Sequence, residues 1–331
     1  MNGPLYLSFE SALSASRFVD FENPENADLV IVFFKNHGFS HIQITDLIRR
    51  HPKLLSSDPE KTLLPKLQFL QSKGFSSSEL TRLLSSYPVI FTRSLDKQII
   101  PSFDFYCKIF KSEASTILVV KRYMGILTHD PEKYVAPKLE ILREKGMPEQ
   151  NIVSLLKFQP RVILLSQDRL KKVAEETKNL GFDPLKYSFV KAFIVLKGLS
   201  KSSWEKKVNV YKRWGCTYDE ILLAFGKNPG CMSASEDRIT LVMDCVVNKL
   251  SFKSSDALKY PIIFSMSFGK KITPRTSVVE ALLTKGLIKE EISLHTFFGT
   301  PEQVFLQKFV NCYEESPQLL KLYEEKLFLA R

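Results

Sequence analysis

The segment Gly74-Phe-Ser-Ser-Ser-Glu-Leu-Thr-Arg-Leu-Leu-Ser-Ser-Tyr-Pro88-Val-Ile-Phe91 decides the fold. Its glycine supplies the left-handed residue that commonly ends a helix. Ser76, with Glu79 three residues later, is a capping box that starts the next one. Leu80, Leu83 and Leu84 mark a single apolar helical face. Pro88 stops that helix, because the residue before a proline is pushed out of helical dihedrals. The same interval of fourteen residues from glycine to proline returns at Gly38 and Pro52, Gly146 and Pro160, and Gly215 and Pro229. Glycines 38, 74, 146, 181 and 215 are separated by 36, 72, 35 and 34 residues, the 72 being a doubled period around one degenerate copy. Self-similarity at this period predicts an all-α helical-repeat solenoid with units of about 35 residues.

Each unit reads as two helices and a connecting turn. Ahead of the glycine lies an amphipathic stretch such as Pro65-Lys-Leu-Gln-Phe-Leu-Gln-Ser-Lys73 or Pro137-Lys-Leu-Glu-Ile-Leu-Arg-Glu-Lys145. Proline is expected to open this first helix, where its missing N–H costs nothing. Two residues after the glycine, Ser40, Ser76, Ser112, Asp183 or Thr217 is expected to cap the second helix. Gln43 and Glu220 complete capping boxes as Glu79 does. After the proline comes a short apolar step, as in Val89-Ile-Phe91, that could form a brief third helix. A polar turn with Asp58, Asp96, Asp130 or Asp168 then leads to the next unit, and these aspartates read as helix caps. Two copies are degenerate: Phe110 stands in a glycine place with Met124 in the proline place, and Gly181 is followed by Val195. Later units are shortened around Tyr260-Pro261-Ile-Ile-Phe264 and from Pro274 to Gly286. The organisation expected is a lead-in segment over 1–30, one elongated repeat domain over 31–310, and a C-terminal cap over 311–331.

The composition, 44% hydrophobic and 25% charged, suits a folded chain. Its longest apolar runs, such as Leu29 to Phe34, fall far short of the roughly 20 residues that span a bilayer, so no membrane partner is expected. Five cysteines without a CxxC pair read as free thiols, not as a zinc site or disulfide framework. No cofactor is implied. His37 and His41 have the helix break at Gly38 and Ser40 between them, so they share no helical face. Gly226-Lys-Asn-Pro-Gly230 lacks the spacing of a phosphate-binding loop, and no GxSxG, HExxH or GxGxxG occurs. No catalytic site is expected.

The net charge of +11 points to a polyanionic partner. The excess is concentrated, with +7 over residues 161–230 and +5 over 61–111. In the repeat frame, Arg49, Arg50, Lys121, Arg122, Lys157, Lys227 and Lys259 fall in the last turns of second helices, with Arg161 just past Pro160. Stacked repeats would align them into a basic row able to follow a phosphate backbone. The helix macrodipole favours cations at such places regardless of function, and Lys73, Lys145 and Lys285 before the capping glycines fit that reading. A second basic group lies on first helices: Lys171, Lys172, Lys206, Lys207, Lys212 and Arg213. Trp204 and Trp214 nearby could stack on bases, but aromatic residues at helical spacing are ordinarily core.

The units Gly38-Phe-Ser…Ile44…Leu47-Ile48…His51-Pro52-Lys-Leu-Leu55 and Gly74-Phe-Ser…Leu80…Leu83-Leu84…Tyr87-Pro88-Val-Ile-Phe91 resemble repeats of the mitochondrial transcription termination factor family, mTERF. The stretch Ile272-Thr-Pro-Arg-Thr-Ser-Val-Val-Glu-Ala-Leu-Leu-Thr-Lys-Gly-Leu287 is similar to one common near the C-terminal end of plant members, and Ser11-Ala-Leu-Ser-Ala-Ser16 resembles their beginning. The resemblance covers roughly residues 10–325. It implies a solenoid curved into a superhelix, a location in the mitochondrion or alternatively the chloroplast, and a monomer that binds double-stranded DNA or structured RNA. It also implies organellar transcription or splicing proteins as partners, and a role in transcription termination or a related step. Splicing or maturation of RNA and a protein-interaction scaffold are the alternatives. The first thirty residues carry one basic residue, Arg17, against five acidic ones, the reverse of a transit peptide. That pattern suggests a chain whose beginning lies downstream of a presequence.

Overall fold

The computed structural model describes residues 24–288 and 292–329. The Ser11–Ser16 stretch, Arg17 and most of the lead-in segment lie outside the described residues. Along the chain run α1 (Pro24–Asn36), α2 (His41–Arg50), α3 (Leu64–Ser72), α4 (Ser77–Ser86), α5 (Ile100–Phe110), α6 (Glu113–Arg122), α7 (Ala136–Glu144) and α8 (Glu149–Phe158). There follow α9 (Gln167–Asn179), α10 (Tyr187–Gly198), α11 (Lys201–Arg213), α12 (Tyr218–Lys227), α13 (Glu236–Asp244) and α14 (Ser254–Lys259). The chain closes with α15 (Thr273–Thr284), α16 (Leu294–Phe298), α17 (Glu302–Phe309) and α18 (Ser316–Phe328). No strand occurs among the described residues, so the chain is all-α and built of helical repeats. It divides into two compact units, one running to 144 and including 149–167, the other formed by 145–148 and everything from 168.

Eight described residues have positive φ: Gly38, Gly74, Lys111, Gly146, Gly181, Gly215, Ser251 and Gly286. They stand 34 to 37 residues apart, so every repeat boundary is the same backbone event. In the third repeat the left-handed place belongs to Lys111, with φ 50°, and not to Phe110, which is buried as the last residue of α5. Ser251, with φ 58°, marks a boundary that carries no glycine signal. At the glycine boundaries the helix closes on itself. Phe39 N–H reaches Phe34 O at 3.0 Å, Phe75 N–H reaches Leu70 O at 3.3 Å, and the residue after the glycine is buried at Phe39, Phe75, Met147, Phe182 and Cys216 but exposed at Leu287.

Second helices start largely as expected. Ser40 with Gln43, Ser76 with Glu79 and Thr217 with Glu220 form complete capping boxes, and Ser112 accepts from Ser115 N. Asp183 does not cap α10. It accepts from Leu185 N at 3.0 Å, and the helix begins only at Tyr187. The short apolar step after the proline is a 3-10 helix at Pro52–Ser56, Pro88–Thr92, Met124–Thr128, Pro160–Leu164, Pro229–Met232 and Pro261–Ser265. Its apolar pair enters the core, as Leu54 and Leu55, Ile90 and Phe91, and Val162 and Ile163 show.

First helices start earlier than the prolines suggest. A π turn covers Pro59–Leu63, Leu95–Ile99, Pro131–Val135 and Phe268–Ile272, and each runs directly into α3, α5, α7 or α15. Pro65, Pro101, Pro137 and Pro274 therefore sit just inside a helix already under way. A proline there lacks an N–H and crowds the carbonyl four residues back, and the wider turn accommodates both defects. Asp58 and Asp130 cap these starts as expected, whereas Ser94 takes that place instead of Asp96. Asp168 lies in the first turn of α9.

Two substitutions at the boundaries separate conformational strain from packing. A Cβ at Gly74 meets nothing within 4 Å, so Gly74→Ala should destabilise by about 1 kcal/mol through backbone strain alone. Lys111→Gly should stabilise by roughly 0.5–1 kcal/mol by relieving the same strain. Urea unfolding of the full chain measures both.

Candidate nucleic-acid interface

The basic residues divide into three sets by what their charged ends touch. The first set is buried or, at Arg169 and Arg238, half-buried. Lys66 Nζ donates to Phe91 O and Lys138 Nζ to Ile163 O, each from a first helix to the end of the following 3-10 helix. Lys207 donates to Ala234 O, Arg238 to Met266 O, and Arg275 to Phe297 O and Thr300 O, both at 2.9 Å. Arg169 Nη2 reaches Leu196 O at 3.1 Å and Leu199 O at 3.4 Å. In the remaining repeats Asn26 Nδ2 (to Leu55 O, 2.8 Å) and Ser102 Oγ (to His129 O, 3.1 Å) do the same work. Carbonyls at a helix end have no partner within the helix, and a buried one without a hydrogen bond is costly. Burial lowers the pKa of Lys66, Lys207, Arg238 and Arg275, as expected for cations drawn out of water.

The second set joins neighbouring repeats by ion pairs. Lys73 lies 3.2 Å from Glu113, Lys285 lies 3.4 Å from Glu315, and Lys145 pairs with Glu175. Lys121, counted above in the basic row, lies 2.6 Å from the Glu79 carboxylate and 5.4 Å from the centre of the Phe75 ring. Lys121 and the Ser76 N–H hold the Glu79 carboxyl down to about 2. Arg50 donates to Ser85 O at 3.4 Å, and Arg122 donates to Lys157 O. Each of these arginines thus reaches the last turn of the next second helix, 35 residues on.

The third set is exposed. In the first unit it holds Arg49, paired at 3.0 Å with Asp46, and the outer faces of Arg50 and Arg122. Arg161 belongs here too. Its Nη2 donates to Tyr87 Oη at 2.8 Å and its guanidinium lies 5.3 Å from the centre of the Tyr123 ring. Tyr87 and Tyr123 meet edge to face at 5.2 Å, and burial raises the Tyr123 pKa. Lys157 is half-buried, 5.8 Å from the centre of the Phe110 ring. In the second unit Lys171 and Lys172 on α9, Lys206, Lys212 and Arg213 on α11, and Lys227 at the end of α12 are exposed. Lys212 lies 5.7 Å from the centre of the Tyr218 ring. Lys259 is exposed and pairs with Asp256 at 2.8 Å.

Within the sequence-derived set, Arg50 and Arg122 keep an exposed face beside their carbonyl contacts, whereas the ammonium groups of two lysines are taken up by structural partners. The Lys207 ammonium is buried against a backbone carbonyl, and Lys121 is tied to a carboxylate of a neighbouring repeat. Neither tie is visible in sequence, since the partners lie 27 and 42 residues away. Neither tryptophan is fully buried. Trp204 packs edge to face on Phe225 at 5.0 Å, and Trp214 caps the end of α11. Sequence reasoning also passed over Lys201, which stands with Lys172 and Trp204 around a cleft in the second unit.

Among the described residues no group of three or more His, Cys, Asp or Glu is arranged to hold a metal ion. No described helix is long and apolar enough to cross a membrane. A family model described as mTERF matches residues 31–242 and, in an overlapping second segment, 192–306. No curated protein sequence matches the chain.

The buried set makes a measurable claim about stability. Lys138→Met should leave the Ile163 carbonyl without its donor and cost about 1–2 kcal/mol in thermal or urea unfolding. The exposed Lys133→Met should stay within about 0.5 kcal/mol of the parent.

Proposed function

Because the chain belongs to the mTERF family, a family of organellar nucleic-acid-binding proteins, we propose that it is a non-enzymatic regulator of organellar transcription. It binds double-stranded nucleic acid through the phosphate backbone and duplex shape, and acts in termination or a related step. The observation that carries this reading is the exposed set of the second unit. Lys171, Lys206, Lys212, Arg213 and Lys227 are in no ion pair among the described residues, although many other basic residues are occupied. Lys206 and Arg213, seven residues apart, fall on one face of α11, and Lys171 lies on the first helix of the preceding repeat. Exposed ammonium and guanidinium groups on rigid helices suit phosphate contacts, which fix position on a duplex without reading its sequence. Within the first unit Arg50, Arg122 and Arg161 are proposed as phosphate contacts in their own right, since a guanidinium with one donor engaged keeps four others.

Binding of the full chain to duplex DNA should weaken steeply with salt. Each phosphate contact contributes about 0.9 to the slope of log affinity against log salt concentration. Changing Lys171, Lys206, Lys212 and Arg213 together to glutamate should reduce that slope by roughly 2 to 4. Lys207→Met should leave the slope where it was, because its ammonium is buried. An unaltered slope in the fourfold variant would remove this surface from the reading.

The compartment proposed is the mitochondrion, on the strength of the family resemblance. Immunodetection across purified organelles checks it: enrichment with mitochondrial markers is expected, and enrichment with chloroplast or cytosolic markers refutes it.

A further inference from the structure

The fifth repeat departs from the others at the end of its second helix. Val195 holds the place that a proline fills in most repeats, and α10 runs on to Gly198 with no 3-10 helix after it. Leu199 and Ser200 lead at once into α11, with Ser200 Oγ accepting from Ser203 N at 3.0 Å. A cleft of about 630 Å³ lies at this join, walled by α9, the end of α10, the start of α11 and the first residue of α12. That volume falls within the range of small-molecule sites, about 300–1,000 Å³. Its lining combines two chemistries. Leu180, Leu196, Leu199 and the Trp204 ring are apolar, while Lys172 and Lys201 add two exposed ammonium groups.

Three further charged residues border the cleft, Lys197 among them. Arg169 is engaged with the Leu196 and Leu199 carbonyls and lies 3.6 Å from Glu176. Glu176 adds a carboxylate that can accept hydrogen bonds from hydroxyl or amino groups. The contact with Phe225 fixes the plane of the Trp204 ring.

We propose that this cleft binds a free mononucleotide, its base against Trp204 and the leucines, its phosphate on Lys172 and Lys201, and a ribose hydroxyl or base amino group on Glu176. The mixed lining argues for a ligand with both parts. A wholly apolar molecule would strip water from two ammonium groups without replacing it. A bare anion would leave the leucines and the indole wet. A flat ring bearing a phosphate satisfies both, since base–aromatic stacking and charge-assisted hydrogen bonds act at separate places. The site uses residues outside the four changed in the salt experiment, and its test contains no polymer, so the two readings stand or fall separately.

The test uses the full chain carrying Trp214→Phe. The protein has two tryptophans, so Trp204 becomes the sole indole reporter. Titration with AMP or UMP should change its emission saturably, and calorimetry on the unaltered chain should give the same Kd. Adenosine, which has the ring without phosphate, and ribose 5-phosphate, which has the reverse, should each bind at least about tenfold more weakly. Lys172→Glu with Lys201→Glu should raise Kd by about tenfold or more while leaving the thermal midpoint unchanged. If that pair lowers the midpoint, the glutamine pair at the same positions carries the comparison. Absence of saturable binding by every nucleotide overturns the proposal. So does ribose 5-phosphate binding as tightly as AMP, or an unaltered Kd in the lysine variants.

Discussion

A chain that ends a helix at each left-handed residue, and again at the proline fourteen residues later in several repeats, leaves carbonyl oxygens without partners in its interior. The structure answers with one recurring hydrogen bond, from a polar side chain on a first helix to the backbone at the end of the next turn. Lysine serves at 66, 138 and 207, arginine at 169, 238 and 275, serine at 102 and asparagine at 26. A long basic side chain suits the position because its methylene stem packs in the core while its end reaches a carbonyl beyond. Without these donors the turns would have to face water, and the apolar pairs of the 3-10 helices could not enter the core.

This requirement alters what the positive net charge means. The excess of lysine and arginine combines three populations: donors in the interior, partners in ion pairs between neighbouring repeats, and side chains held in solvent. Only the last can meet a phosphate without dismantling something. Residues 161–230 carry the largest excess, yet Lys207 within that block belongs to the interior. Counting charge along a chain locates a surface approximately, and assigning each charged end to its contact sharpens it.

Much of the architecture was legible because its signals are local. Capping boxes at Ser40, Ser76 and Thr217 and stops at Pro52, Pro88, Pro160 and Pro229 are completed within four residues, and the structure keeps them all. The left-handed residues at Lys111 and Ser251 were not legible, since nothing in a lysine or serine announces a positive φ that its repeat imposes. The shifted start of α10 belongs to the same class. Asp183 has the chemistry of a cap, but the helix forms three residues later and continues through Val195, where no proline halts it. The candidate interface was legible as a set of positions and much less as a set of available charges. Burial of Lys207 and pairing of Lys121 are decided by residues 27 and 42 positions away, beyond the reach of periodicity.

The reach of the recurring hydrogen bond also bears on how the chain acquires its structure. The bond from Lys66 spans 25 residues and that from Asn26 to Ser57 spans 31. Each repeat can therefore complete its interior contact once little more than its own length has followed it out of the ribosome. Low sequence separation between partners favours rapid folding, and a repeat array can nucleate at one place and propagate from there. A chain built this way can consolidate from its leading repeats while later ones are still being synthesised.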